Sequence, residues 1–440
     1  MLNIKLEPYK LFKEKNEYYL FTAKFNKLYK INEEMYTILN KFEDNYEIIL
    51  TEDSPYLKLI KENLSYEDNS LNVTDNFDIQ SIVLMIIQDC NLNCKYCYGD
   101  GGEFKEKGIM SIDTAKQAIN YLTEHCGNRK NISVAFFGGE PLLNFEVIKK
   151  TIEYMEIVSK NKGIKFYKSI TTNATLLTDE IKKFLLDNNI NIKISIDGFK
   201  EVHDNMRIFP DGQGSYDNVI KNTEDIRRMK KAVARATITP FCLNTKEIEE
   251  FLYKIGFSDV GIAYAEEYLM ENDYKKIYEI ESIYFDEVEE LIHLGKYADI
   301  KQKYSKVIAY LSHLHSSVMG HYPCGAGRTF YAVDKDGFLY PCQRFVGIPQ
   351  FQLGSIYSEK NKRTEFLEKM HLNSHIKCKK CWCKNICIGK CAYSNYIKTN
   401  KIEEPYEPGC ELTRKLYEKA VRLYSSLNEE EKKLLFFNPS

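Results

Sequence analysis

The chain has 440 residues, 44% of them hydrophobic; that length predicts two to three domains, and that composition supplies buried cores and excludes large-scale disorder. A formal net charge of −2 at pH 7 gives no pull toward nucleic acid or anionic lipid, so neither is an expected partner. The longest apolar run, 81–87, is far too short to span a bilayer, and Lys5, Glu7 and Lys10 stand where an apolar signal core would, so the expected setting is the cytoplasm.

The first region, 1–75, holds strand-like stretches at 9–13 and 18–25 with Asn16 in the turn between them, and a short third strand at 28–31. Met35, Ile38, Leu39 and Phe42 then recur at helical spacing. The polar stretch 65–78 reads as a linker. From 80 to 272 short apolar strands (82–87, 132–137, 165–170, 192–196, 233–239, 260–263) alternate with helices such as 113–124, 146–158 and 179–187. This alternation predicts a parallel sheet. Six strand–helix units are fewer than a closed barrel's eight, so the expected fold is α/β, a partial (β/α)6 TIM-like barrel with its chemistry at the C-terminal strand ends. Residues 273–323 read as a helical bridge, 324–410 as a cysteine-rich domain with a hairpin at 331–342, and 411–440 as a terminal segment with an amphipathic helix at 412–427.

Thirteen cysteines is an odd count, which argues against a disulfide framework. Ten fall into ligand-like groups, leaving Cys126, Cys242 and Cys383 over. The first group, Cys90-Asn-Leu-Asn-Cys94-Lys-Tyr96-Cys97, directly follows the first barrel strand. Three thiolates on one loop can hold three irons of a cubane and leave the fourth open to a substrate or cofactor, whereas four ligands close a structural site. Zinc or ordinary thiols are the plainer alternatives.

This run resembles the cluster motif of the radical S-adenosylmethionine (radical SAM) superfamily. In that family the unique iron binds the amino and carboxylate groups of S-adenosylmethionine, whose reductive cleavage gives a hydrogen-abstracting 5′-deoxyadenosyl radical. The resemblance implies that Cys90, Cys94 and Cys97 carry the chemistry. Gly138-Gly139-Glu140-Pro141, after the second strand, is similar to the family's GGEP motif, with glycines for close backbone approach and a carboxylate to accept from an ammonium. By the same resemblance Ser195 and Arg207 hold the methionine carboxylate, and Thr172 and Asn173 face the ribose.

Cys324, Gly337 and Cys342, then Cys378, Cys381, Cys387 and Cys391, then Cys410, are spaced as in the SPASM domain of radical SAM peptide maturases. The resemblance implies two auxiliary 4Fe-4S clusters, three in all. One takes Cys324, Cys342 and Cys391; the other takes Cys378, Cys381, Cys387 and Cys410. Some relatives place a fourth cysteine for the first set where this chain has Phe330. That leaves an iron for a substrate thiolate, for Cys383 or for water. Residues 1–75 resemble the winged-helix-like element with which such maturases hold a leader peptide by strand addition. The expected function is installation of thioether crosslinks in a ribosomally made, cysteine-containing precursor peptide, with a flavodoxin or ferredoxin as electron donor. The alternatives are side-chain oxidation of the anaerobic sulfatase-maturase type, carbon–carbon crosslinking, and a non-catalytic zinc or iron–sulfur scaffold.

Overall fold

The structure, a computed structural model, describes residues 1–14, 16–43, 46–66, 78–317, 319–358 and 360–436. Two compact units emerge, and they do not follow the chain-order domains. One gathers Met1–Asn72, Met270–Cys324 and Glu368–Ser440; the other gathers Val73–Leu269 and Gly325–Leu367. The N-terminal region, the helical bridge and the terminal helix therefore share one unit, while the cysteine-rich segment 324–410 is divided between the two.

In the first unit β1 (Leu2–Lys5) pairs antiparallel with β5 (Glu47–Leu50), and β2 (Tyr9–Glu14), β3 (Glu17–Thr22) and β4 (Lys27–Ile31) form a three-stranded antiparallel sheet in that order. Asn16 takes the positive φ of 64° that the expected turn requires, which asparagine tolerates. The helix after β4 spans Glu33–Asn40, capped by the Asn32 side chain accepting from Met35 N at 2.8 Å, so Phe42 lies beyond it. Most of the 65–78 linker lies outside the described residues. Phe12 and Phe21 join Tyr284, Phe285, Val288, Leu311, Leu416 and Trp382 in one buried cluster, which is why bridge and terminal helix fold with the N-terminal sheet. The terminal helix runs Glu407–Ser426, starting five residues before the expected point, because Pro408 fits a first helical turn. Cys410 thus sits inside the helix.

The second unit is the expected mostly parallel α/β sheet. β6 (Ser81–Gln88), β8 (Asn131–Gly138), β9 (Lys165–Thr172), β10 (Ile190–Ser195), β11 (Ala232–Ile238) and β12 (Asp259–Tyr264) lie side by side in chain order, all parallel, while β7 (Gly108–Ile109) pairs antiparallel with β6. Fully buried Ile82, Leu84, Ile170, Ile192, Ile194 and Ala234 explain the apolar strands, as both-sided burial of a parallel sheet demands. The helices start on side-chain caps: Ser111 Oγ accepts from Thr114 N at 3.0 Å, and Thr178 Oγ1 from Ile181 N at 3.3 Å.

The six-strand expectation needs one extension. β13 (Phe330–Val333) adds to the free edge of β6 in parallel register, Ala332 opposite Val83, and continues into β14 (Phe338–Tyr340) and β15 (Gly354–Ser355). The hairpin was legible because Asp334 and Gly337 build its turn: Asp334 Oδ1 accepts from Asp336 N and Phe338 N at 3.0 and 2.8 Å, and Gly337 takes φ 87°. Its pairing with β6, nearly 250 residues upstream, has no local signal. Among the described residues no helix is long and apolar enough to cross a membrane.

Candidate active site

The C-terminal strand ends of the parallel sheet carry the expected residues. β6 has a register irregularity between Met85 and Ile87, then releases the chain into the loop holding Cys90, Cys94 and Cys97. Backbone bonds pin that loop: Asn93 N donates to Ile208 O at 2.7 Å and Lys95 N to Met206 O at 2.9 Å. Gly138 ends β8 at φ 147°, and an added Cβ there would stand 2.2 Å from Ile87 O. A Cβ on Gly139 would meet Asp89 O at 2.0 Å, and one on Gly102, at φ 95°, would meet Cys90 Cβ at 2.6 Å. These glycines let three backbone segments meet at Cys90.

Pro141 begins a short 3-10 turn, and the preceding Glu140 is 1% exposed. Its carboxylate accepts from Thr172 Oγ1 at 2.7 Å, Asn173 N at 2.7 Å and Leu142 N at 3.1 Å. Burial nevertheless pushes it up to about 7. Glu140 and Thr172 thus tie the ends of β8 and β9 together. Asn173 Nδ2 donates to Asn91 Oδ1 at 3.0 Å and lies 3.8 Å from Cys90 Sγ. Ser195, at the end of β10, is half-buried.

Arg207 belongs to a network whose centre has only a weak signal in sequence. Asp197, 1% exposed, accepts from Arg207 Nε at 3.0 Å, from Thr237 N at 2.8 Å and from the Tyr96 hydroxyl. The guanidinium lies 5.2 Å from the Tyr96 ring centroid. Burial pulls Arg207 down, but the Asp197, Tyr96 and Cys94 charges outweigh it and hold the cation above its ordinary value. Asp197 stands in the Ser195-Ile-Asp197-Gly198 strand end, and an acidic residue there was the available clue.

The thiols fit a cationic cluster. Burial first, then the charges of Glu140, Cys94 and Cys97, push Cys90 up to about 12. Burial pushes Cys94 up to about 11, Arg207 opposing and Cys97 assisting. The raised thiols of Cys90 and Cys94 hold thiolate charge only beside a compensating metal group.

In the other unit Cys378, Cys381, Cys387 and Cys410 lie together. Burial, then the charges of Cys387, Cys381 and Cys410, raises Cys378; burial, then Cys387, pushes Cys410 up to about 12. Cys383 Sγ is 3.6 Å from Cys381 Sγ, and Cys383 is 1% exposed in the apolar core. Its interacting thiols are thus Cys381 and Cys387, members of that four-cysteine set. Of the remaining set, Cys324 and Cys391 belong to this unit, both exposed, and Cys342 to the parallel-sheet unit, buried. Cys126 is a buried thiol, as expected.

The radical SAM superfamily model matches residues 84–254, the stretch that contains this strand-end cluster. Residues 84–254 therefore form a radical SAM domain. It is 34% identical over 188 residues to an uncharacterized protein of Methanocaldococcus jannaschii, covering 42% of this chain and 62% of that one. It is 26% identical over 325 residues to the cysteine-type anaerobic sulfatase-maturating enzyme of Clostridium perfringens, covering 69% of this chain and 85% of that one. A solved structure, native anSMEcpe with bound AdoMet, superposes with TM-score 0.64 at 22% identity over 79% of this chain and 100% of that one, a likeness of fold.

His203 gives this domain a pH dependence. It is fully buried, with Nε2 2.9 Å from Ser215 Oγ and Nδ1 accepting from Asp197 N at 3.4 Å. Burial pushes it down to about 4, against the pull of Asp197. The unfolded chain therefore takes up the proton first, so this group's share of stability is complete above about 6.5 and is lost as pH falls toward 4. The full swing is about 3 kcal/mol. Urea unfolding at about pH 5 and about pH 7.5 should show His203→Gln losing less stability on acidification than the parent, by about 2 kcal/mol; equal losses in both proteins would remove the assignment.

Proposed function

We propose that the protein is a radical SAM maturase that abstracts hydrogen from a ribosomally made, cysteine-containing peptide and installs thioether crosslinks. Cys90, Cys94 and Cys97 would hold the cluster that binds S-adenosylmethionine, and the pair would supply a hydrogen-abstracting radical. Arg207 and Ser195 would take the cofactor's carboxylate, and the Gly138–Gly139 backbone its amino-acid end. Thr172 and Asn173 would face its ribose, and Glu140 its ammonium group. Glu140 already accepts three bonds within the protein, so its share is mainly to fix the strand ends. Crosslinking removes one C–H hydrogen and one S–H proton and makes one C–S bond. The hydrogen atom leaves with the radical, the proton goes to solvent, and the remaining electron goes to an auxiliary cluster.

The observation that carries the thioether reading is the donor count. Cys378, Cys381, Cys387 and Cys410 make a closed set, while Cys324, Cys342 and Cys391 are three, and Phe330 stands where a fourth thiol would be. The position of Cys383 beside Cys381 supports leaving the open place to a substrate thiolate, the ligand soft iron prefers. The leader would add to β4, the outer strand of its sheet. A flavodoxin or ferredoxin would supply electrons.

A second reading, oxidation of a side chain, is favoured by the alignment that spans 85% of the sulfatase-maturating enzyme. Co-expression with a short cysteine-rich peptide encoded nearby, followed by mass spectrometry, separates the two. Thioether formation removes two hydrogens per crosslink and lowers the number of alkylatable thiols, with the fragments still joined. Oxidation of cysteine to an aldehyde leaves an uncrosslinked carbonyl and ends the thioether reading.

A further inference from the structure

The turn that carries Cys378, the first thiol of the four-cysteine set, also presents an exposed apolar residue. Ile376–Lys380 is a short 3-10 turn in which Cys378 is buried at 8% exposure while Ile376, beside it, is 80% exposed. Lys377, Lys379 and Lys380, on the same turn, are exposed as well. Lys377 shares Glu404 with Lys401, at 3.2 Å each, but Lys379 and Lys380 have no acidic partner among the described residues. The turn is held firmly. Tyr46 Oη donates to Lys380 O at 3.3 Å, and Trp382 is packed edge-on against Phe12 and Phe21, with centroids at 6.0 and 5.6 Å. Ile376 thus stands exposed two residues from a buried thiol, with Lys379 and Lys380, unpaired among the described residues, on the same short turn.

We infer that Ile376, Lys379 and Lys380 form the docking surface for an acidic one-electron carrier that exchanges electrons with the cluster on Cys378, Cys381, Cys387 and Cys410. This rests on that set holding a cluster, as proposed above. Opposite charge steers the encounter, the small apolar centre gives brief contact, and the carrier's redox centre is brought over the ligand turn. One electron leaves the carrier and one enters the cluster; no bond is made or broken.

The test uses the full chain, reconstituted anaerobically, with reduced flavodoxin of net negative charge as probe. Iron and sulfide analysis and EPR first establish the cluster in the parent and in the Lys379→Glu/Lys380→Glu double variant. Stopped-flow reduction at low salt should then be about ten-fold slower in the double variant, and the gap should close near about 0.5 M salt. Ile376→Ser should slow reduction at every salt concentration. Reduction by photoexcited deazaflavin, which needs no docking, should be equal in all three. Equal flavodoxin rates with the clusters intact overturn the docking surface and leave the cluster reading standing. A parent holding only about four irons per chain removes both.

Discussion

Gly139→Ala should abolish cofactor cleavage while leaving the sheet folded. The added methyl would lie 2.0 Å from Asp89 O, 2.4 Å from Asp89 C and 2.9 Å from Gly102 O, all backbone atoms. Glu140 N donates to that same Asp89 carbonyl at 2.9 Å, and Gly139 N to Ile87 O at 3.0 Å, so relieving the clash severs the bonds joining the end of β8 to the start of the cysteine loop. Cys90 is the next residue and must move with it. A displacement of about 1 Å at a reacting centre costs about a hundred-fold in rate or more, and here the displaced residue is the one proposed above as a cluster ligand. Far-UV circular dichroism should be retained, and the EPR signal of the three-cysteine cluster should weaken together with cofactor cleavage. Gly163→Ala is the matched control. That residue ends the Phe145–Lys162 helix at φ 63° with nothing within 4 Å of an added Cβ, so alanine there costs about 1 kcal/mol of backbone strain and leaves cleavage intact. Wild-type cleavage in Gly139→Ala would show that the cysteine loop does not depend on this approach.

The contrast between those two glycines also explains what could be read from the sequence. The cysteine triplet, the paired glycines and Glu140 were legible because each is a compact local pattern at a strand end, and strand ends follow from the alternation of apolar runs and helices. The hairpin at 330–340 was legible for the same reason, since Asp334 and Gly337 are three residues apart. The pairing of β13 with β6, and the merging of 270–324 with the N-terminal sheet, were not. Both arise from burial between distant segments: Phe12 and Phe21 meeting Tyr284, Leu311 and Leu416 obey no spacing rule. Asp197 was passed over because an acidic residue in a strand-end turn reads as solvated until a buried arginine is found beside it. Cys383 fitted no motif slot, and only its position 3.6 Å from Cys381 says which thiols it accompanies.

Asp197 is the second place where one substitution should disable the site, and its effect separates charge from shape. The carboxylate joins four parts of the fold: Tyr96 between Cys94 and Cys97, the end of β10 that precedes it, Arg207 after the Lys200–Met206 helix, and the Thr237 amide on β11. Asp197→Ala leaves a buried guanidinium without a counter-charge, a change that costs about 3–5 kcal/mol in comparable buried pairs. Asp197→Asn keeps the acceptor for Thr237 N but turns an amide donor or a neutral oxygen toward Arg207 Nε, so the arginine is no longer oriented by charge. Its stability loss should therefore be smaller, while affinity for S-adenosylmethionine, measured by equilibrium dialysis on reconstituted enzyme, should fall about ten-fold or more. Pairing Asp197→Asn with Arg207→Gln completes a double-mutant cycle. The second change should recover part of the lost stability, with a coupling of at least about 1 kcal/mol, and recover none of the cofactor affinity. A cycle that is additive in stability would mean that Asp197 and Arg207 do not depend on each other. Unchanged cofactor affinity in Asp197→Asn would mean that Arg207 holds its place without the carboxylate behind it.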